Sequence, residues 1–396
     1  MEQPQLWAPA LQGRGIKRVA ITWVNNAGAV LVKVVPAARF DVAVVEGVGF
    51  SPVADAFRSD GGIDPAHHLA RPDGDLRLRA DPSGLVDVDP AAGWAWAPGM
   101  RWVRAQGLPY PGDQRHFCQR QQQRLEQAGL QMSAGFELEW TVLSIAADGS
   151  QRPAIAGGPY GADRLVEGLD YATALFDGLD AAGVPWLQFH PEYGRSQFEL
   201  SLDAASPLEA ADRLLQAKWV IQRQTLRHGL RCSFSPKPWL GDVGNGGHVH
   251  VSVRRRGQPL LEGGDGLAGL TLDGAAVLAC WLDQLPALLP LACPLELSYR
   301  RLAPSSWAAP FQVWGVENRE AALRLVPSTS DGAAAHVELK LSDLGSNPYL
   351  LLGALQALTL HGLAHPLPLP EPVVGDPSSQ GGGTRAAPAH KPCGGF

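Results

Sequence analysis

Two glutamates, Glu137 and Glu139, stand two apart in the segment GFELEW. On a strand, residues at that spacing project from one face, so both carboxylates enter the same space and offer oxygen ligands to a hard cation such as Mg2+ or Mn2+. Taken alone, the pair is a weak signal, because an exposed Glu-x-Glu on the solvated face of a surface strand is common. A second pair, Glu192 and Glu199 in HPEYGRSQFEL, is separated by a glycine-containing turn that would let both acids reach one site. A third element is GDVGNGGHVHVSV, where a glycine-rich loop from Gly241 to Gly247 feeds a strand carrying His248 and His250 on one face. Two imidazoles so placed suit zinc, yet no cysteine lies nearby and four glutamates favour a harder ion. The glycines permit a ligand to approach the backbone closely.

Positive charge enters through YRRLAPSSWAAPFQVWGVENREAALRL, which holds Arg300, Arg301, Arg319 and Arg324 among Trp307, Phe311 and Trp314. Guanidinium forks bind carboxylate or phosphate bidentately, and four of them flanked by aromatic residues point to a pocket lining. The last element, HVELKLSDLGSNPY, sets Glu338 and Lys340 on one strand face ahead of a helix opened by Asn347-Pro348.

The elements that must carry these groups alternate in type. Val19 to Val24, Ala29 to Val35 and Asp41 to Val45 are β-branched runs split by turn formers, predicting a small sheet. Residues 60–98 predict further short strands, and the glycine- and proline-bearing 100–112 an interdomain connection. Gln114 to Gly129 predicts a helix, followed by a strand from Ser133 to Ile145 with period two. Helix-then-strand units recur at 165–190 and 207–236, and a final helix is expected from Pro348 to His361. The chain thus reads as α+β, with domains at 1–99 and 113–365 and a Pro/Gly-rich, disordered tail at 366–396. Ala275 to Cys293 is the most apolar stretch, but Asp283, Pro286 and Pro290 interrupt it, which suits a buried helix and not a membrane span.

Composition removes several classes of function. A length of 396 residues and a net charge of −6, with basic residues dispersed except at Arg254 to Arg256, give no field that would draw nucleic acid or an anionic membrane. The five cysteines are odd in number and unpaired in spacing, and the N-terminus has no cationic start before an apolar run. Reduced thiols and a cytoplasmic location are expected.

Taken in order, these elements resemble the glutamine synthetase family over residues 15–372. The family's Glu-x-Glu strand is similar to Glu137–Glu139, its E-x-G-P-G-Q-x-E segment to Glu192–Glu199, its glycine loop with H-x-H to Lys237–His250, its arginine block to Arg301–Arg324, and its closing segment to Glu338–Tyr349. The resemblance implies a β-grasp-like N-terminal domain, a catalytic domain with a curved antiparallel sheet flanked by helices, and a ring-like homo-oligomer with active sites between neighbouring chains. It implies an ATP-dependent ligase that activates a small-molecule acid as an acyl phosphate and passes it to an amine, using two or three Mg2+ or Mn2+ per site. One cation would take Glu139, Glu192 and Glu199, and another Glu137, His248 and Glu338. Arg319 and Arg324 would face the transferred phosphate, Arg301 with Gly244 and Lys340 the acid, and His250, Ser252, His336 and Arg324 the nucleotide.

Departures from the family pattern bear on the acceptor. Trp307 stands where ammonia-using members carry a glutamate, and an indole offers an apolar wall to a larger amine but takes no proton. Glu46, in Glu46-Gly47-Val48-Gly49, stands where they carry an ammonium-binding Asp-Gly-Ser-Ser, and is the corresponding catalytic candidate. Lys340 and Val243 replace an arginine and an asparagine on the acid side, although L-glutamate remains the default acid because Arg301 persists. γ-Glutamylation of an organic amine or polyamine is the leading expectation; glutamine synthesis from ammonia and a non-catalytic structural or regulatory role are the alternatives. The closing helices of bacterial members are missing, so one ring or a smaller assembly is expected.

Overall fold

The computed structural model describes residues 6–329 and 332–379. Its first sheet is built around β1 (Arg18–Val24), which is buried at every position after Arg18 and is therefore flanked on both sides. It pairs antiparallel with β2 (Val30–Pro36) and parallel with a later strand, β6 (Trp94–Val103). With β3 (Val48–Phe50) and β4 (Leu76–Ala80) the path is β2-β1-β6-β4-β3, and β5 (Val86–Asp89) and β7 (Leu108–Pro109) also pair with β6. Met100 to Val103, expected as part of a connection, thus belong to the sheet. The apolar alternation of WAWAPGMRWV, continuous with its buried half, outweighs the turn formers that follow.

Asp41 to Val45 is another difference, because the run is helical as α2 (Phe40–Val45). The Asp41 carboxylate at its start accepts the amides of Trp7, at 2.7 Å, and Ala8, at 3.2 Å, from the opening turn of α1 (Trp7–Gly13). Phe40 and Ala43, three apart, then face the core. Tertiary contacts override the valines' local preference for strand.

The second sheet starts from α3 (Gln114–Gln127), whose first turn is capped by Asp113 accepting the His116 amide at 2.7 Å. It leads into β8 (Leu130–Ile145). The sheet runs in the order β10-β11-β8-β13-β17-β16-β15, with β9 (Gln151–Pro153), β12 (Arg231–Ser233) and β14 (Gln258–Pro259) pairing at its margins. Here β10 is Trp186–Pro191, β11 Gln197–Leu202, β13 Val249–Arg255, β15 Phe311–Val316, β16 Ala321–Val326 and β17 His336–Leu339. Along β8 the period of two holds: Phe136, Leu138, Trp140 and Val142 enter the main core, while Glu137, Glu139 and Thr141 take the opposite face.

Helices close the apolar face of the sheet. The expected 165–182 helix is two, α4 (Ala162–Glu167) and α5 (Leu169–Ala181), parted at Gly168; α6 (Pro207–Arg227) and α10 (Pro348–Ala364) pack beside them. The apolar stretch near 275–293 is also a pair, α7 (Leu272–Asp283) and α8 (Leu285–Ala292), bent by 67°. The break falls just before Pro286, where the helix loses an amide donor. Among the described residues no single helix is long and apolar enough to cross a membrane.

The two sheets are tied by specific contacts. The β1–β2 turn presses on the loop before α10: Asn347 Nδ2 donates to Asn25 O at 3.1 Å, and a Cβ on Gly28, at φ +77°, would lie 2.3 Å from Gly345 O. From α3, buried Arg115 holds Asp212 on α6 through two bonds, at 3.0 and 2.7 Å, and Asp81 beside β4 at 2.7 Å. The tail expectation needs division. Residues 370–375 are bonded to the edge of β15, with Val373 N–H on Trp314 O at 2.9 Å and Trp314 Nε1 on Pro370 O at 2.7 Å. An unpaired strand edge supplies hydrogen-bonding groups that proline- and glycine-rich chain can meet without a core of its own. Residues 380–396 lie outside the described residues.

Candidate active site

Glu137 and Glu139 open onto a cleft of about 780 Å³. Strand pairing brings the other acids to them: β11 sets Glu199 opposite Glu139, and β17 sets Glu338 opposite His250 of β13. His248 precedes β13 and its backbone carbonyl accepts the Glu137 amide at 3.0 Å. Antiparallel neighbours on one face lie close enough for side chains to share a ligand, so residues up to about 200 positions apart in sequence converge here.

Three groups of donors result, each with its ligand atoms within 4.8 Å of one another: Glu137, His250 and Glu338; Glu137, Glu199 and His248; and His190, Glu192 and Glu199. His248 Nδ1 lies 3.1 Å from Glu137 and 3.4 Å from Glu338, while its Nε2 lies 3.6 Å from Glu139. Glu139 is held by one oxygen, which accepts from Gln197 Nε2 at 2.8 Å and from the Gly246 amide at 2.9 Å. Its other oxygen is left toward the cleft. A Cβ on Gly246 would come within 2.4 Å of His248 Nε2 and 2.8 Å of Glu139 Oε1, so glycine keeps this cradle open.

Electrostatics show a site short of positive charge. Burial, reinforced by Glu137, Glu139 and Glu192, pushes the Glu199 carboxyl well above the usual range. Glu338 goes the other way: burial opposes ionisation, but Lys340 at 3.1 Å and the two histidines bring it down to about 2. Glu137 likewise sits well below the ordinary value because its bond to His248 and the nearby His250 outweigh its burial. Glu192 is lowered, since His190 at 2.9 Å overcomes the effect of burial.

Hard divalent cations fit this donor set. His250 Nε2 is buried and makes no hydrogen bond among the described residues, although Glu137 Oε1 lies 3.2 Å away. That is an arrangement of two ligands toward one ion, and carboxylates predominate over imidazoles. Adding millimolar Mg2+ or Mn2+ to cation-free protein is expected to raise its melting temperature by several degrees, since a ligand at a hundred times its Kd stabilises by about 2.7 kcal/mol. Scanning fluorimetry with and without a chelator checks this, and equal melting curves would deny cation binding.

The remaining sequence candidates divide. Arg301, Arg319, Arg324, Gly244, Lys340 and Trp307 line the cleft with Glu137, Glu139, Glu192, Glu199 and His248. Arg324 reaches Glu338 at 3.1 Å and also pairs with Glu317. Arg301 is already engaged by the carbonyls of Leu341, at 2.9 Å, and Lys340, at 3.2 Å. Arg300 does not join the lining: one position along α9 (Glu296–Arg301) turns it by about 100°, and it pairs with exposed Glu296 at 2.6 Å. Phe311 and Trp314 are buried rather than cleft-facing. Ser252, His250 and His336 also stand outside the lining, with the His336 ring 5.0 Å from that of His250. Glu46 is exposed at the end of α2, away from the cleft of its own chain.

Two lining groups escape a reading by motif, whereas Gln197 holds the glutamine position of the Glu192–Glu199 segment. His190 and Tyr160 belong to no motif, yet His190 lies within 3.9 Å of both Glu192 and Glu199, and Tyr160, stacked on His190 with ring centroids 6.0 Å apart, lines the cleft. For His190 a shared strand face gave no signal, because Glu192 lies just past the end of β10. For Tyr160, on a loop, there was none.

The catalytic-domain model of glutamine synthetase matches residues 111–389. A gamma-glutamylpolyamine synthetase, GlnA3 of Streptomyces coelicolor, is 43% identical over 372 residues, covering 93% of this chain and 80% of its own. Glutamine synthetase of Pyrococcus horikoshii is 29% identical, over 89% of this chain and 76% of its own. Among solved structures, a GmaS–ADP complex aligns with a TM-score of 0.83 at 27% identity, over 96% of this chain and 86% of that one. A novel glutamine synthase homolog aligns with 0.82 at 29%, over 93% and 85%.

Proposed function

This chain belongs to the glutamine synthetase family, and from that premise we propose that it is an ATP-dependent ligase that γ-glutamylates an organic amine or polyamine. The observation that carries the reading is the convergence of Glu137, Glu139, Glu192, Glu199, Glu338 and His248 about one cleft whose wall includes an indole, Trp307.

A carboxylate is a poor acylating agent because oxide is a poor leaving group. Attack of its oxygen on the γ-phosphorus of ATP releases ADP and leaves an acyl phosphate; attack of the amine nitrogen on the acyl carbon then releases phosphate, and the nitrogen loses a proton. Divalent cations held by the carboxylates and His248 would supply charge neutralisation and polarise phosphoryl oxygens. Arg319 and Arg324 add guanidinium forks on the phosphate side, and Arg301 with Lys340 meets the acid's carboxylate. Crowded carboxylates in this cleft are thus matched to a reaction that brings further negative charge to them. Glu46, exposed and remote in its own chain, is assigned as a proton acceptor only when a neighbouring copy brings its first domain to the cleft mouth, as in a ring-like homo-oligomer.

On the acceptor side, Trp307 replaces a charged group with a flat apolar face. That favours a methylene chain, and a cationic amine gains about 0.5–2 kcal/mol over an indole. The test is phosphate release with ATP, Mg2+ and L-glutamate across ammonia, methylamine, 1,4-diaminobutane and a triamine. Organic amines are expected to exceed ammonia in kcat/KM, and Trp307→Ala should lower the best amine's value by about 10- to 100-fold. Ammonia performing as well as every organic amine would overturn the assignment.

A further inference from the structure

The loop from residue 302 to 310 carries three non-glycine residues with left-handed backbone: Ser305 at φ 59°, Trp307 at 52° and Ala309 at 52°. L-residues rarely hold such angles unless neighbouring bonds compel them. For Trp307 the bond is visible. Its amide donates to Glu320 Oε1 at 2.6 Å, and Glu320 is only 8% exposed, its second oxygen making no hydrogen bond among the described residues.

Glu320 is itself held from behind. Its amide donates to Asn318 Oδ1 at 3.1 Å, and Asn318 Nδ2 donates to the carbonyls of Val373, at 3.0 Å, and Gly375, at 2.9 Å. Val373 is bonded in turn to β15 through Trp314. One unbroken run of hydrogen bonds therefore joins the segment after the last helix to the backbone of Trp307. Glu320 does not line the cleft, whereas Trp307 lines both the cleft and a neighbouring cavity of about 360 Å³ floored by Pro372, Val373 and Val374.

We propose that Glu320, buttressed by Asn318 and residues 370–375, is a positioning residue that fixes the Trp307 indole as the acceptor-side wall and so sets selectivity among amines. The proposal rests on the amine-ligase reading of the cleft. A buried carboxylate spent on the backbone of a strained loop is costly unless that loop's placement matters. Because the Glu320 side chain hydrogen-bonds the Trp307 amide and none of Arg301, Arg319, Arg324 or Lys340, its removal should act chiefly on the amine.

The experiment uses the full chain and the amine panel above. In Glu320→Ala the KM for the best amine is expected to rise about tenfold, the scale of losing a charge-assisted hydrogen bond, while KM for ATP and for L-glutamate stays within about twofold. Glu320→Gln retains an oxygen acceptor and should restore most of the amine KM. In a Trp307→Ala background Glu320→Ala should add nothing further, since the two act as one unit. If Glu320→Ala fails to fold, Asn318→Ala, which leaves the carboxylate in place but cuts the buttress, is expected to raise the amine KM in the same selective way. Equal changes in all three KM values, additive double-variant effects, or an unchanged amine KM would overturn the proposal. Wild-type protein lacking any amine-dependent phosphate release would instead overturn the ligase reading beneath it.

Discussion

Glu137→Gln is expected to lower amine-dependent phosphate release by at least about a thousandfold, the scale of several kcal/mol of lost charge stabilisation at a metal-assisted phosphoryl transfer. Glu137 belongs to two of the three donor groups and lies 3.1 Å from His248 and 3.2 Å from His250. Glutamine has nearly the same shape, but it turns one ligand oxygen into a donor and removes the charge that both histidines face. The fold should survive, because the strand at this point is held by backbone pairing with His248 and Ser201 and not by the carboxylate. The Glu199 carboxyl is raised first by burial and next by Glu137, so neutralising Glu137 lets Glu199 ionise more readily. The expected signature is a smaller gain in melting temperature on adding Mg2+ than wild type shows. Retained turnover would remove Glu137 from the machinery.

A loss of about 3–5 kcal/mol in unfolding free energy is expected for Arg115→Ala, the cost of breaking a buried ion pair from one side. Arg115 is 3% exposed and bridges Asp212 on α6 to Asp81 beside β4 of the first sheet, while Tyr349 of α10 donates to the same Asp212 at 2.6 Å. Its removal strands Asp212 in the interior and unties the two sheets at once. Burial works to raise the Asp81 carboxyl, but Arg115 and Ser83 bring it below its ordinary value. A carboxyl depressed in the folded state stabilises above its unfolded value, about 3.9, and that contribution is lost as pH falls through the folded value. Denaturant titration at pH 7 should therefore show the full deficit, and the gap between variant and wild type should narrow below about pH 4. A deficit under about 1 kcal/mol at pH 7 would mean that the bridge is idle.

The site was largely legible because strand periodicity does not depend on the rest of the fold. Glu137 with Glu139, and Glu338 with Lys340, keep their shared faces wherever the sheet lies. The arginine block was readable only in part: Arg301, Arg319 and Arg324 meet the cleft, while Arg300 turns away because adjacent helical residues diverge. The helix at Phe40–Val45 was hidden by its valines, since what holds it is Asp41 reaching back to α1. The residues after Glu371 were hidden for a related reason. Their composition buries little apolar area, and their order comes from the edge of β15 and from Asn318.

By itself, then, the amino-acid order determined the α+β class, the donors and their chemical hardness, because these follow from residue type and from periods of two and 3.6. Only the tertiary structure decided which acids lie close enough to share an ion, that His190 joins Glu192 and Glu199, and that Glu320 holds the amide of Trp307. Those facts depend on strand register and loop path, which are set by packing between residues far apart in the chain and leave no local signal at either partner.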